Sequence, residues 1–126
     1  MHSRSVRIVQ QLILPSCLAM ALQAAPAMAA EEAVAADPEH YTVEFENDQI
    51  RVLRIKYGPG EKSVMHNHPA NLAVFLTDGK VNFTLPDGNT GEAELKAGTV
   101  EWNGGGDHLP QNIGDQPMEL ILVELK

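Results

Sequence analysis

A chain of 126 residues with 44% hydrophobic and 21% charged side chains has the length of one domain and an ordinary globular composition, which sets aside disorder and an integral membrane bundle. Nine Lys and Arg against seventeen Asp and Glu give a formal charge of −8. Such a field repels phosphate and anionic lipid, so the expected partners do not include nucleic acid.

The first thirty residues carry two basic groups, Arg4 and Arg7, and no acidic one. An apolar run from Ile8 to about Ala25 follows, then Pro26, and Ala27-Met28-Ala29 puts small residues at −3 and −1 for signal peptidase. This pattern predicts a secretory signal peptide over residues 1–29 and a periplasmic or secreted protein. Gln10, Gln11, Pro15 and Gln23 interrupt the run and leave it short of a ~20-residue span, so no membrane association is expected after cleavage. Cleavage removes the only cysteine, Cys17, and leaves seven basic and seventeen acidic groups, a formal charge of −10. Pro15 stands where a lipid-attachment signal wants a small residue. A disulfide-free domain of under ~100 residues must be held by an efficient core, a metal or a partner subunit, which leaves room for a homodimer.

Residues 30–40 are rich in Ala, Glu and Asp with Pro38 and show no period, and are expected as a flexible linker with a solvated His40. The folded domain is placed at 41–126. Val43 and Phe45 alternate with polar residues, as do Leu53, Ile55 and Tyr57, which gives two half-buried strands joined at Asn47-Asp48. Ser63 to His68, Leu72 to Thr77 and Lys80 to Leu85 follow, with Asp78-Gly79 between the last two reading as a two-residue hairpin turn. Pro86-Asp87-Gly88-Asn89 makes the next turn. Glu92 to Leu95, Thr99 to Asn103, about His108 to Ile113, and Met118 to Leu125 complete about nine strands. No helical period of useful length occurs, so the fold class is all-β, a sandwich or small barrel.

His66 and His68 lie two apart on a strand, which aims both imidazoles at one point, the first half of a metal site on a β-scaffold. Gly60, five residues, His66-x-His68 and then Gly79 resemble the first motif of the cupin family. The stretch from Gly98 to Asn112, in which His108 is followed by three residues and then Asn112, is similar to the end of the second motif. There are two departures. Leu72 stands where the family's metal-binding glutamate would be, and Gly104 replaces a proline, with His108 one residue early and Gly104-Gly105-Gly106 able to absorb the shift. The resemblance implies a double-stranded β-helix (cupin, or jelly-roll) barrel holding a divalent metal on His66, His68 and His108. Three imidazoles suit Fe, Mn, Ni, Cu or Zn rather than Ca or Mg. Without the carboxylate, a more electrophilic ion is expected to favour an anionic or chelating ligand.

The pocket beside the metal is expected to be lined by Leu72, Val74, Phe83 and Trp102. Glu101 is expected to be solvated, Met65 in the core, and Gln111 and Asn112 either near a ligand or capping a turn. The leading functional expectation is a secreted single-domain metal-binding cupin acting on a small organic molecule, in its sharper form a dioxygenase-like enzyme. The alternatives are a non-catalytic metal- or small-ligand-binding protein and a barrel that has lost its metal.

Overall fold

The computed structural model describes residues 28–126, so the signal peptide expected over residues 1–29 lies almost wholly outside the described residues. A short helix α1 (Ala33–Ala36) precedes nine strands: β1 (Tyr41–Glu46), β2 (Ile50–Tyr57), β3 (His66–His68), β4 (Asn71–Phe75), β5 (Gly79–Thr84), β6 (Thr90–Leu95), β7 (Val100–Asn103), β8 (Gly106–Asn112) and β9 (Met118–Leu125). They form a five-stranded sheet in the order β1-β2-β9-β4-β7 and a four-stranded sheet in the order β3-β8-β5-β6. Every strand ladder is antiparallel. This is the double-stranded β-helix barrel.

Period-two alternation makes the core. In β9, Met118, Leu120, Leu122 and Glu124 are buried while the residues between them are only half-buried. Leu53, Ile55 and Tyr57 of β2 and Ala73 and Phe75 of β4 meet Val81 and Leu95 from the other sheet. Burying each large apolar side chain stabilises the barrel by about 1.5–3 kcal/mol. Asn47 closes the β1–β2 hairpin, its Oδ1 accepting from the amides of Gln49 and Ile50.

Two expectations are corrected here. Asp78-Gly79 does not close a hairpin, because β4 pairs with β7 and β9 whereas β5 pairs with β6 and β8. The dipeptide carries the chain between sheets: Asp78 Oδ1 accepts from the Ala97 amide, and Gly79 is absent from the glycines with positive φ, so the I′ turn the dipeptide favours is not made. Residues 30–40 are not a free linker. Ala33 is fully buried, Glu32 bridges to Asn67 in parallel, and the Asn67 amide donates to Glu31 O at 2.8 Å.

The outer face of the five-stranded sheet is apolar along a complete cross-strand row. Phe45 pairs with Val52, Val52 with Val123, Val123 with Leu72, and Leu72 with Trp102. Phe45 and Trp102 are 52% and 59% exposed, so among the described residues this row has no cover.

Candidate metal centre

Strand β3 presents His66 and His68 on its inner face, and β8 pairs alongside it with His66 directly opposite His108. Residues forty apart in sequence are thus adjacent because β3 and β8 are neighbours in the smaller sheet. The three rings meet at steep angles, with centroids 4.8, 4.9 and 5.1 Å apart, and one nitrogen from each lies within 4.8 Å of the others. His66 is fully buried and His68 is 4% exposed.

The partners of the other ring nitrogens fix what converges there. His66 Nδ1 is 2.8 Å from Val64 O, and His68 Nδ1 is 2.7 Å from Glu124 Oε1. A carbonyl and a carboxylate only accept, so each Nδ1 donates and, in a neutral ring, each Nε2 keeps a bare lone pair. Those two Nε2 atoms stand 3.0 Å apart. His108 Nε2 is buried without any hydrogen-bond partner. Lone pairs turned on one another without a proton are unfavourable unless a cation sits among them. A 3.0 Å separation is the span of two nitrogens on one ion with ~2.1 Å bonds at right angles. The residues present therefore fit a transition metal.

Burial, followed by the neighbouring His68, pushes the His66 imidazole down to about 4. Burial, followed by His68 and His66, pushes His108 down to about 3. Both rings are thus neutral at physiological pH, the form a metal requires.

Surrounding residues hold the rings. Phe83 stacks on His108 at 5.2 Å, and Tyr41 sets its edge against His66 at 4.7 Å. Ser63 Oγ lies 3.2 Å from His66 Nδ1 and donates to Asp37 Oδ2 at 2.5 Å. Asp37 is also 2.7 Å from His40 Nδ1, while His40 Nε2 reaches Glu61 at 2.7 Å. His40, expected to be solvated, is instead stacked on Tyr57 at 4.4 Å. Burial lowers its pKa but the bonds to Asp37 and Glu61 outweigh it, so the net shift is upward.

Several expected site residues lie elsewhere. Leu72, Val74 and Trp102 do not line the pocket: they belong to the outer face, because Asn71, Ala73 and Phe75 are the buried residues of β4 and Trp102 pairs with Leu72. Of the expected lining only Phe83 faces the cavity, and Glu101, opposite Ala73, lines it while remaining exposed. Met65 is half-buried. Asn112 caps the following turn, donating to Gln116 O and accepting from the Gly114 amide. Gln111 Nε2 donates to Gly60 O at 3.4 Å, away from the histidines.

Two functional residues escape a reading by motif. Glu124 is buried against His68, and Asp107 holds β8 to β3 by accepting from Asn67 Nδ2 at 2.5 Å. The available signal for Glu124 is its place on the apolar face of β9, where Met118, Leu120, Leu122 and Glu124 share one side and a lone carboxylate requires a buried partner.

An antiparallel double-stranded barrel with three inward histidines beside a cavity defines a metal-site barrel of the cupin type. The cupin domain family matches residues 53–124, more than half of the chain, and the protein belongs to that family. No protein of curated function matches. A cupin domain protein of Bordetella pertussis superimposes with a TM-score of 0.64 at 22% identity, covering 79% of this chain and 99% of the other. A double-stranded β-helix protein of Klebsiella pneumoniae gives 0.53 at 22% identity over 68% and 74% of the two chains. A cupin family protein of Methanocaldococcus jannaschii gives 0.53 at 20% identity over 71% and 83%. At these identities the likeness concerns the fold.

Proposed function

We propose that the chain is an exported single-domain cupin that binds a divalent transition metal (Fe, Mn, Ni, Cu or Zn) on His66, His68 and His108 and receives a small organic molecule beside it. The observation that carries this reading is the gathering of the three imidazoles, with one nitrogen of each within 4.8 Å of the others, the Nε2 atoms of His66 and His68 3.0 Å apart, and His108 Nε2 buried without a partner. A bound ion supplies a Lewis-acidic centre with coordination positions left open for a ligand atom or dioxygen. The chain's own part is to orient the rings through Val64 O and Glu124, to pack them with Tyr41 and Phe83, and to set a largely apolar wall beside them.

In its sharper form the protein is a dioxygenase-like enzyme. The alternative is a non-catalytic metal- or ligand-binding protein, favoured by the hydroxyls of Tyr41 and Tyr57, which are bonded to each other at 2.6 Å and not held ready for proton transfer. Metal analysis of protein purified from its own host, followed by oxygen uptake with candidate ligands, separates the readings. A redox-active ion with uptake supports the enzyme, a metal without uptake supports the binding protein, and no metal on the three histidines overturns both. N-terminal sequencing of the exported chain tests the signal peptide, with Ala30 as the expected first residue.

The uncovered row on the outer face suits a second copy. Five strands ~4.8 Å apart and three rows deep give two such faces on the order of 1,000 Å² together, the lower range of a specific interface. The charges beside the row are already paired, Arg54 with Glu44 and Glu119, and Lys56 3.9 Å from Glu119. A strongly acidic chain thus offers a locally neutral face to its copy. A monomer at micromolar concentration in equilibrium sedimentation counts against this partner.

A further inference from the structure

The cavity next to the histidines has a volume of about 340 Å³, near the lower end of small-molecule sites. Its wall includes Ile55, Phe75, Val81, Leu95, Leu120 and Leu122, and it reaches His68 and His108. No Lys or Arg lies among its lining residues, whereas Glu101 does; Asp107 also lines it, but its oxygens accept from Asn67 Nδ2 at 2.5 Å and from Ala30 N at 3.0 Å. A third carboxylate, Glu124, stands behind His68 at 2.7 Å.

This distribution bears on the charge of the ligand. A metal on three neutral imidazoles, taken alone, attracts an anion that completes its charge. Here Glu124 offsets part of that charge through the His68 ring and so weakens the pull on an anion. An entering carboxylate or phosphate would lose its hydration in an apolar cavity, share it with the exposed Glu101 carboxylate, and find no cationic side chain to receive it. A neutral molecule suffers none of these penalties and gains from the apolar wall. We propose that the cavity selects a small, largely apolar molecule without negative charge, with an uncharged oxygen or nitrogen donor directed at the histidines. The proposal rests on the reading of this site as a metal centre and names the class of its ligand.

The test uses three probes that share one ring and differ in charge: benzyl alcohol, benzylamine and benzoate. Each is titrated by calorimetry into zinc-loaded and metal-free protein beginning at Ala30. Benzyl alcohol is expected to bind at least about tenfold more tightly than benzoate in both forms, and more tightly than benzylamine in the zinc-loaded form, where the ammonium has no lone pair for the metal and loses its hydration in the cavity. Glu101→Gln, at an exposed position, is expected to narrow the gap by about threefold, and added salt to narrow it further. Benzoate binding as tightly as benzyl alcohol in the zinc-loaded protein overturns the proposal, and so does a cavity that takes up none of the probes. Failure of the metal reading is visible separately, as protein that binds no zinc. The metal-free titrations then still decide the charge preference of the wall.

Discussion

Replacing Glu124 by glutamine removes a charge while keeping an oxygen that can accept from His68 Nδ1. Glu124 is 4% exposed, and its Oε1 lies 2.7 Å from that nitrogen. In the metal-bound state the carboxylate makes the imidazole more basic and offsets part of the ion's charge. Loss of such a partner lowers metal affinity about 10–100-fold, or about 1.4–2.7 kcal/mol. In the metal-free state the substitution relieves a buried carboxylate of its desolvation cost, so the melting temperature is expected to stay level or rise. Glu124→Ala removes the acceptor as well and leaves a void, so both affinity and metal-free stability should fall. The assay is competition with a fluorescent chelator, paired with thermal melts of each protein with and without metal. Wild-type affinity in Glu124→Gln would refute the argument that Glu124 completes the charge of the site. A metal-free melting temperature that fell as far as that of the alanine variant would show that its role is packing alone.

His108→Ala is expected to abolish most metal binding, because it removes one of three ligands and the buried nitrogen that has no other partner; equilibrium dialysis reads the stoichiometry. His66 and His108, held near about 4 and about 3, stay neutral in the folded metal-free protein while the unfolded imidazoles protonate near ~6.5. Their contribution to stability is therefore complete above about pH 6.5 and is lost on acidification towards the folded values; melts between pH 7.5 and about 4 should show this fall, diminished in the double alanine variant. Gly105→Ala should destabilise the protein by about 1–3 kcal/mol, since its φ is +88° and a Cβ would stand 2.7 Å from His68 O, whereas Gly104→Ala, with nothing within 4 Å, should be neutral; chemical denaturation of the pair checks both. Leu72→Glu should not tighten metal binding, because Leu72 faces outward at 36% exposure; a raised affinity on titration would contradict the register of β4.

The sequence by itself determined the all-β class, nearly every strand and the three histidines, because these follow from local chemistry. Alternation of two along β2 and β9, and the His-x-His spacing on β3, need only neighbouring residues to be read. The tertiary structure decided what depends on which strands pair. Asp78-Gly79 has the chemistry of a hairpin turn, yet the strands it joins belong to different sheets, since barrel closure gives β4 and β5 other partners. Leu72 occupies the family's glutamate position in sequence, but the β4 register turns Asn71 and Ala73 inward and leaves it on the outer face. Residues 30–40 carry no period and so look unstructured, yet Glu31 and Glu32 bind the β3 strand and Asp37 receives Ser63. Glu124 meets His68 from fifty-six residues away. Periodicity shows that a strand has two faces, but only the packing of its partners determines which face closes on the metal site and which carboxylate stands behind it.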